Sequence, residues 1–399
     1  MLLTRRCPVC DAKHGEVLKR IPLNISTEIR KKISYPYHYD LTCCEECGML
    51  FAETDLTSED IDNYYINCNM YDSVSDIKKD VYNESNEIYF GALDPYITKE
   101  SSIIDVGCGN GSFLRYLKDK GYERLFGVDP AESSVRKLEK YGIKGIVGSI
   151  YDKVPDWLRG KFDVVISTGV LEHLLLPAAG LKNLVCLLKK TGAIYVSVPN
   201  AEGFKDYLRE VPNYFNQEHI NYFTSGSLDL LCARSGLERC SSDADCYHVV
   251  CSSSPEVVIS AVYRPAQDMK EMVKYDKSGI ESVKIYFNKI EKKQLQQKEA
   301  IKKLLKESAT LVVWGTGGFA ASLLCDMPEL AEKVSCFVDN DCNKQKETFF
   351  GKRVISPDCL KNYPTAAIFI CVMLNGDSVV KQIKSMDLPN KVFLVTDNC

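Results

Sequence analysis

The residues of this chain whose types and spacing could do chemistry form three groups. Cys7-Pro8-Val9-Cys10 and Cys44-Glu45-Glu46-Cys47 are two C-x-x-C pairs. Each pair can set two thiolates about one tetrahedral ion, and four thiolates close the coordination shell. An ion held that way is structural, and its binding energy counts toward folding. Gly48 follows the second pair, as suits the turn of a knuckle. A redox C-x-x-C is the alternative. It usually stands where a strand enters a helix, and "TRRCPVCDAKHG" lacks that pattern. Cys43 adjoins Cys44, and the two-residue spacer selects Cys44. The expected ligand set is Cys7, Cys10, Cys44 and Cys47, with Zn2+ as the ion.

The second group lies in "SIIDVGCGNGSFLRYL", from Ser102 to Leu117. An apolar run closes on Asp105, and Gly107, Gly109 and Gly111 precede a helical pattern. Such a turn brings backbone close to a ligand and aims helix N–H groups at it. Asp129 closes the next apolar run, "RLFGVDP", where a carboxylate can accept from both hydroxyls of a ribose. Any adenosine-containing cofactor fits. The spacing D-x-G-C-G-x-G is not the G-x-G-x-x-G of dinucleotide sites, and no P-loop Lys-Ser/Thr pair follows. The third group is the histidines, of which there are five. His173 in "LEHL" and His219 in "NQEHINYFTSGSLDLL" are the candidate bases. An imidazole with a pKa near 6.5 can take a proton at neutral pH.

The elements that must position these groups follow from periodicity. "IIDV", "RLFGVD", "KGIVGS", "FDVVIS" and "AIYVSVP" read as strands, separated by helical stretches such as Glu132 to Tyr141 and Ala179 to Lys190. Alternating strands and helices imply a mostly parallel sheet covered on both faces. "LERCSSDADCYHVVCSSS" reads as two strands joined near Asp243 to Asp245, an antiparallel addition. Ile280, Val283, Phe287, Ile290, Ile301, Leu304 and Leu305 recur at helical spacing, interrupted at Gln294 and Gln297, which gives one long amphipathic helix or two. "TLVVWGTGGFAASLL" then restarts the strand, glycine turn and helix order. The expected divisions are 1–85 for a zinc-binding subdomain and lid, 86–258 for the core, 259–308 for a helical linker, and 309–399 for a smaller α/β domain.

The chain has 399 residues, 50 basic and 54 acidic side chains and a formal charge of −4. That balance offers no basic surface for nucleic acid. No apolar run approaches the roughly 18 residues that cross a bilayer, and "MLLTRRCPVC" lacks a signal-peptide core. A cytoplasmic protein is expected, in which most of the 18 cysteines are thiols or ligands.

"IIDVGCGNGSFL" resembles the first motif of class I S-adenosylmethionine-dependent methyltransferases, and "FGVDP" their second. "FDVVISTGVLEHL" and "GAIYVSVPN" are similar to later strands of that family, so the resemblance spans about residues 88 to 255. It implies S-adenosylmethionine as cofactor. Gly107, Gly109 and Gly111 would line its path, Asp105 would orient the loop or the amino group, and Asp129 would hold the ribose. Ser149 and Ile150 stand at the adenine position, with Ser149 where an acid is common. The order of zinc knuckle, core and C-terminal α/β domain resembles the nucleotide-sugar C-methyltransferases of deoxysugar biosynthesis, as does "EHINYF". That likeness implies His219 as the base beside a keto group, with Glu218 and Tyr222 orienting. It also implies a substrate face built from Tyr64, Tyr65, Tyr71 and Asn221.

The implied fold class is α/β. A zinc-binding subdomain precedes a doubly wound Rossmann-like methyltransferase sheet with an antiparallel last strand, and a smaller Rossmann-like domain follows. The implied partner is a nucleotide-sugar, with no nucleic acid or membrane, in a monomer or small homo-oligomer. "WGTGGFAASLL" departs from the C-methyltransferase family by lacking its Lys and Asn, so Gly315 to Gly318 and Asp339 are open as a diphosphate or ribose site. Two alternatives are an O-methyltransferase acting on a sugar or other hydroxyl, and a zinc-bearing binding module without catalysis.

Overall fold

Short antiparallel strands carry the cysteine pairs. In the computed structural model, which describes residues 1–23, 36–67, 79–207, 214–241, 247–250, 256–266, 273–307, 310–372 and 376–394, β1 (Gly15–Pro22) pairs with β2 (His38–Cys44), and β2 with β3 (Leu50–Glu53). Tyr71, the side chain of Tyr65 and the 242–246 turn lie outside the described residues. The chain turns sharply after Cys44, where the Gly48 N–H donates to the Cys44 carbonyl at 3.0 Å. Gly48 has φ +80°, and a Cβ there would lie 1.8 Å from the carbonyl oxygen of Asp276. Both its conformation and its neighbour therefore demand glycine. Helices α1 (Ser58–Asn67) and α2 (Lys79–Leu93) lead into the core.

Strands β4 (Ile103–Val106), β5 (Leu125–Asp129), β6 (Lys144–Val147), β7 (Phe162–Thr168) and β8 (Leu188–Pro199) pair in parallel, ordered β8-β7-β4-β5-β6. Helices α3 (Ser112–Asp119), α4 (Glu132–Lys140) and α5 (Pro177–Leu187) connect them. Alternate residues feed opposite layers: Ile104 and Val106 pack into one core and Ile103 into the other. With both faces covered, a strand reads as a continuous apolar run, which is how "IIDV" reads. Helix α5 stops at Leu187, short of the Lys190 that periodicity suggested, because Leu188 already pairs with Phe162 on β7.

Later elements correct the expected divisions. Strand β9 (Asn221–Tyr222) leaves the core segment and pairs with β3, becoming the fourth strand of the N-terminal sheet. After α6 (Ser225–Arg234) come β10 (Leu237–Arg239), β11 (Tyr247–Val250) and β12 (Glu256–Pro265). Strand β12 runs antiparallel to β8, so a boundary at 258 would cut a core strand. Strands β10 and β11 do not form a hairpin with each other. Each pairs with a different half of β12, Leu237 opposite Pro265 and Tyr247 opposite Ile259, because β8 occupies the other edge.

The chain divides into two compact units, Met1–Phe287 and Asn288–Cys399. Helix α7 (Ser278–Glu307) is a single 30-residue helix, and its residues fall on either side of that division. In the second unit, β13 (Leu311–Trp314), β14 (Val334–Val338), β15 (Thr348–Phe349), β16 (Lys352–Ile355), β17 (Ala367–Ile370) and β18 (Val392–Leu394) form a sheet ordered β15-β16-β14-β13-β17-β18. All its pairings are parallel except that of β15 with β16. No described helix is long and apolar enough to cross a membrane.

Gly48→Ala tests the knuckle. A side chain at positive φ against a backbone oxygen should cost about 2–4 kcal/mol, read as a lower urea midpoint at unchanged slope. A loss below roughly 0.5 kcal/mol would mean that the Gly48–Asp276 approach does not constrain the fold.

Candidate active site

Asp105 stands at the end of β4, fully buried, with its Oδ1 lacking a hydrogen-bond partner. Burial, reinforced by the nearby Asp129 carboxylate, pushes its carboxyl up to about 8. The turn after it is tied down by backbone bonds: the N–H groups of Gly107 and Cys108 both donate to the Val128 carbonyl, at 2.8 and 3.1 Å. Its three glycines differ in purpose. A Cβ on Gly107 would meet Val170 Cγ2 at 2.4 Å, and one on Gly111 would meet Leu138 Cδ2 at 2.1 Å. Those two glycines let neighbours pack. Gly109 has φ +51° and faces open space, with no atom within 4 Å of such a Cβ. A turn open at Gly109 and, at the strand end before it, a carboxyl oxygen without a partner suit a ligand bearing a cationic amino group and a bulky body, as S-adenosylmethionine does.

Asp129 ends β5 and accepts from two backbone donors, the Gly109 N–H on Oδ2 at 2.8 Å and the Ala131 N–H on Oδ1 at 2.9 Å. It therefore caps the start of α4 and fastens the glycine turn. The Ser134 hydroxyl is a third donor to it, and a carboxylate offers about four lone-pair sites, so one remains for a ligand hydroxyl. The Gly148 N–H reaches the Asp129 carbonyl at 3.1 Å and so places the turn bearing Ser149 and Ile150 beside it. Ile150 is buried, and its carbonyl accepts from Asn183. The acid missing at position 149 arrives three residues later. Asp152 Oδ2 accepts the Ser149 N–H at 2.7 Å. The "SIYD" spacing, with an acid poised to cap its own turn, carried that signal.

A second group of side chains stands beyond β7. Glu172 and His173 lie on a 3-10 turn, Leu171–His173, and His219 lies in the loop before β9. The rings of His173 and His219 meet edge to face, centroids 4.9 Å apart. His173 Nδ1 bonds the Glu218 carbonyl at 2.9 Å. Glu172 is buried; burial pushes its carboxyl up to about 7, and its Oε2 has no hydrogen-bond partner. The loop is pinned by Asn216, whose Oδ1 accepts the N–H groups of Glu218 and His219 at 2.7 and 2.8 Å. Above it, the Tyr64 hydroxyl of α1 donates to Glu218 Oε1 at 2.8 Å. Tyr64, Glu218, His173 and His219 thus come together.

Asn221, expected on the substrate face, and Tyr222, expected to orient the base, both stand beneath the loop. Asn221 is buried, with its Nδ2 donating to the Leu171 and Leu174 carbonyls at 2.8 and 2.7 Å and its Oδ1 accepting from Arg5. Tyr222 is buried, with its hydroxyl donating to the His219 carbonyl at 2.6 Å and bonded to that of Tyr39. Both brace the loop from beneath, because β9 draws them into the N-terminal sheet.

Arg5 is the functional residue the sequence concealed. Its buried guanidinium donates to the carbonyls of Ala52, Ile220, Leu174 and Leu175 and to Asn221 Oδ1, at 2.7 to 3.2 Å. Burial lowers its pKa to about 10, so it stays charged. Two residues on, Cys7, Cys10, Cys44 and Cys47 bring their sulfurs within 4.8 Å of one another, with Cys7–Cys47 at 3.6 Å and Cys10–Cys44 at 3.5 Å. Sulfurs about a tetrahedral zinc with Zn–S near 2.3 Å lie ~3.8 Å apart. The donor set fits that ion. In the second unit, the Asp339 Oδ2 already accepts from the Thr316 hydroxyl at 2.6 Å and from Lys344 at 3.2 Å.

Residues 88–241 match the family described as "Methyltransferase domain", and residues 307–393 one described as "C2185-like, N-terminal". Among curated relatives, the tRNA U34 carboxymethyltransferase of Sulfurovum sp. is 27% identical over 165 residues, covering 38% of this chain and 53% of that protein. The ubiquinone biosynthesis O-methyltransferase of Neisseria meningitidis is 25% identical over 162 residues, covering 37% of this chain and 68% of that protein. The chain spans about half the length of the tRNA carboxymethyltransferases it matches. The Burkholderia thailandensis 1,6-didemethyltoxoflavin-N1-methyltransferase structure, with bound S-adenosylhomocysteine, overlaps 56% of this chain and 97% of its own, at 14% identity and a TM-score of 0.41. The core has the class I methyltransferase fold.

Arg5→Met keeps the apolar stem and removes the donors. Stranding several buried acceptors should cost roughly 3 kcal/mol or more, measured by urea unfolding. A loss under about 1 kcal/mol would mean that water replaces the guanidinium.

Proposed function

We propose that this chain is an S-adenosylmethionine-dependent methyltransferase that alkylates a carbohydrate, at a carbon beside the carbonyl of a nucleotide-linked keto-deoxysugar. The observation that carries the first half is the orphaned Asp105 oxygen at the end of β4 in a methyltransferase fold, followed by a turn that is open at Gly109. Asp105 would bind the amino group, Gly107 to Gly111 the adjoining backbone path, Asp129 the ribose, and the 148–152 turn the adenine. When bound, the cofactor supplies an electrophilic methyl group on a sulfonium sulfur. Cys7, Cys10, Cys44 and Cys47 hold structural Zn2+ in this reading.

The acceptor half rests on His219. A neutral imidazole in its loop takes a proton from the carbon next to the carbonyl and leaves an enolate carbon as the nucleophile. Asn216, Tyr222 and Arg5 fix the loop's backbone, so the imidazole need not be reorganised when substrate arrives. Glu218 and Tyr64, hydrogen-bonded to each other, stand as the polar wall beside it. The resemblance in "EHINYF" supports the sugar. The relatives are, by name, tRNA U34 carboxymethyltransferases and O-methyltransferases of ubiquinone biosynthesis. The ubiquinone enzyme favours a second reading, transfer to a hydroxyl. A net charge of −4 weighs against tRNA.

Two measurements decide. With methyl-labelled cofactor and a nucleotide-4-keto-6-deoxysugar, label should appear on carbon, and His219→Gln should lower kcat by roughly 100-fold or more with little change in KM. Label on oxygen selects the second reading, and undiminished turnover in His219→Gln removes the base. The second measurement is the pH dependence of cofactor affinity. Asp105 is protonated in the free folded protein below about 8. Because the folded chain keeps this proton while the unfolded chain gives it up near pH 4, stability falls progressively as pH rises from about 4 through about 8. A bound ammonium favours the carboxylate, so binding releases a proton. Affinity should rise by up to about tenfold per pH unit below pH ~8 and level off above it. Asp105→Asn should flatten the profile in calorimetry, and a flat wild-type profile would remove Asp105 from the ligand.

A further inference from the structure

Among the described residues, two clusters bring three or more metal-ligating side chains together. One is the four cysteines. The other is Glu172, His173 and His219, each offering one ligand atom within 4.8 Å of the others. We propose that these three side chains form a second metal site, for a divalent ion of the zinc and cobalt class, and that its occupancy shuts off His219 as a base.

The argument begins with Glu172. Its carboxyl is 2% exposed and one oxygen has no hydrogen-bond partner. A buried carboxylate needs a counter-charge or donors. The nearest cationic candidate is the His173 ring, with Nε2 at 3.8 Å from Oε1. That is too long for a hydrogen bond but suits two ligands waiting to close on one ion. His173 is oriented as metal-bound imidazoles are. Nδ1 faces the Glu218 carbonyl at 2.9 Å, which places a proton on Nδ1 and turns Nε2 toward Glu172. A ligating histidine that gives its other N–H to a backbone carbonyl is the usual outer arrangement of such sites.

The backbone around the cluster is equally fixed. The Ile220 N–H donates to the Glu172 carbonyl at 2.9 Å, so the turn bearing Glu172 and His173 and the loop bearing His219 are joined directly. Two imidazoles and a carboxylate select borderline ions over Mg2+ or Ca2+. Three protein ligands leave one coordination position open. The ion takes the His219 lone pair, so ligation and proton abstraction exclude each other. Only this consequence rests on the reading of His219 as base; the binding does not.

The test uses the full chain carrying its cysteine-bound zinc. Cobalt(II) is titrated in by calorimetry and visible absorption, with total metal counted by elemental analysis. The expected result is one further equivalent, whose spectrum has visible d–d bands without thiolate charge transfer. It should be lost in Glu172→Gln and in His173→Gln while the zinc stays in place. Binding of no second equivalent to the wild type overturns the site, as does a second equivalent that both variants retain. His173 is only partly buried, so His173→Gln decides the matter if Glu172→Gln fails to fold. For the consequence, Zn2+ that fills the second site should abolish methyl transfer, and chelation that spares the cysteine site should restore it. Full turnover with the second site filled overturns the exclusion. A His219→Gln enzyme that keeps its turnover sinks the base but leaves the binding result standing.

Discussion

A short loop without secondary structure of its own, Asn216 to Ile220, must be held still if His219 is to do chemistry. The constraint that holds it is one buried guanidinium. Arg5 donates to carbonyls on both sides of a seam: Ala52 in the cysteine-bearing sheet, Leu174 and Leu175 after the His173 turn, and Ile220 beside His219. Arginine suits this task because its planar fork of donors stays charged even when burial lowers its pKa. A lysine would offer fewer donors in no fixed plane. The loop's edge then completes the sheet as β9, so the fourth strand of the N-terminal subdomain is also the floor of the candidate site.

That arrangement gives a reason for a structural metal, if the four cysteines hold one, to stand next to a methyltransferase core. The cysteine sheet is short, and its strands β2 and β3 bury most of their side chains, Leu41, Leu50 and Phe51 among them. Four thiolates about one ion would add folding energy to that apolar packing. Cys7 lies two residues from Arg5, so whatever fixes the knuckle also fixes the guanidinium. Stability of the subdomain and geometry of the loop are thereby linked through a few bonds, not through a long path.

What was legible in the sequence was local. The C-x-x-C pairs, the glycine turn and the closing acids Asp105 and Asp129 are set by spacing along the chain, and the strands β4 to β8 by apolar runs. What was hidden depends on partners far away in sequence. Arg5 reads as one more surface cation beside Arg6, and only its acceptors some 170 and 215 residues on reveal it. Asn221 reads as a substrate contact because it lies near a candidate base, and a two-residue strand has no periodicity to betray it. Strands β10 and β11 read as a hairpin because adjacency is the default, and the length of β12 overrode it. Glu172 went unnoticed because a carboxylate within "VLEHL" looks like a helix-face residue until its burial is known.

The two glycine turns of the chain make the same shape and meet different chemistry. In the first, the acid at the strand end, Asp105, keeps an oxygen that nothing in its own fold satisfies, and Gly109 in the turn that follows faces open space. In the second, the acid Asp339 is already claimed by Thr316 from the turn itself and by Lys344 from the segment after β14. The acid that closes the following strand is engaged in both turns, Asp129 by the Gly109 and Ala131 N–H groups and Asp339 by Thr316 and Lys344. What separates them is Asp105, a desolvated group left wanting, which a ligand could satisfy. By that criterion the first turn is the candidate binding site. Sequence pattern gives the two turns equal standing, and the difference lies in the unsatisfied acid that the first strand end carries.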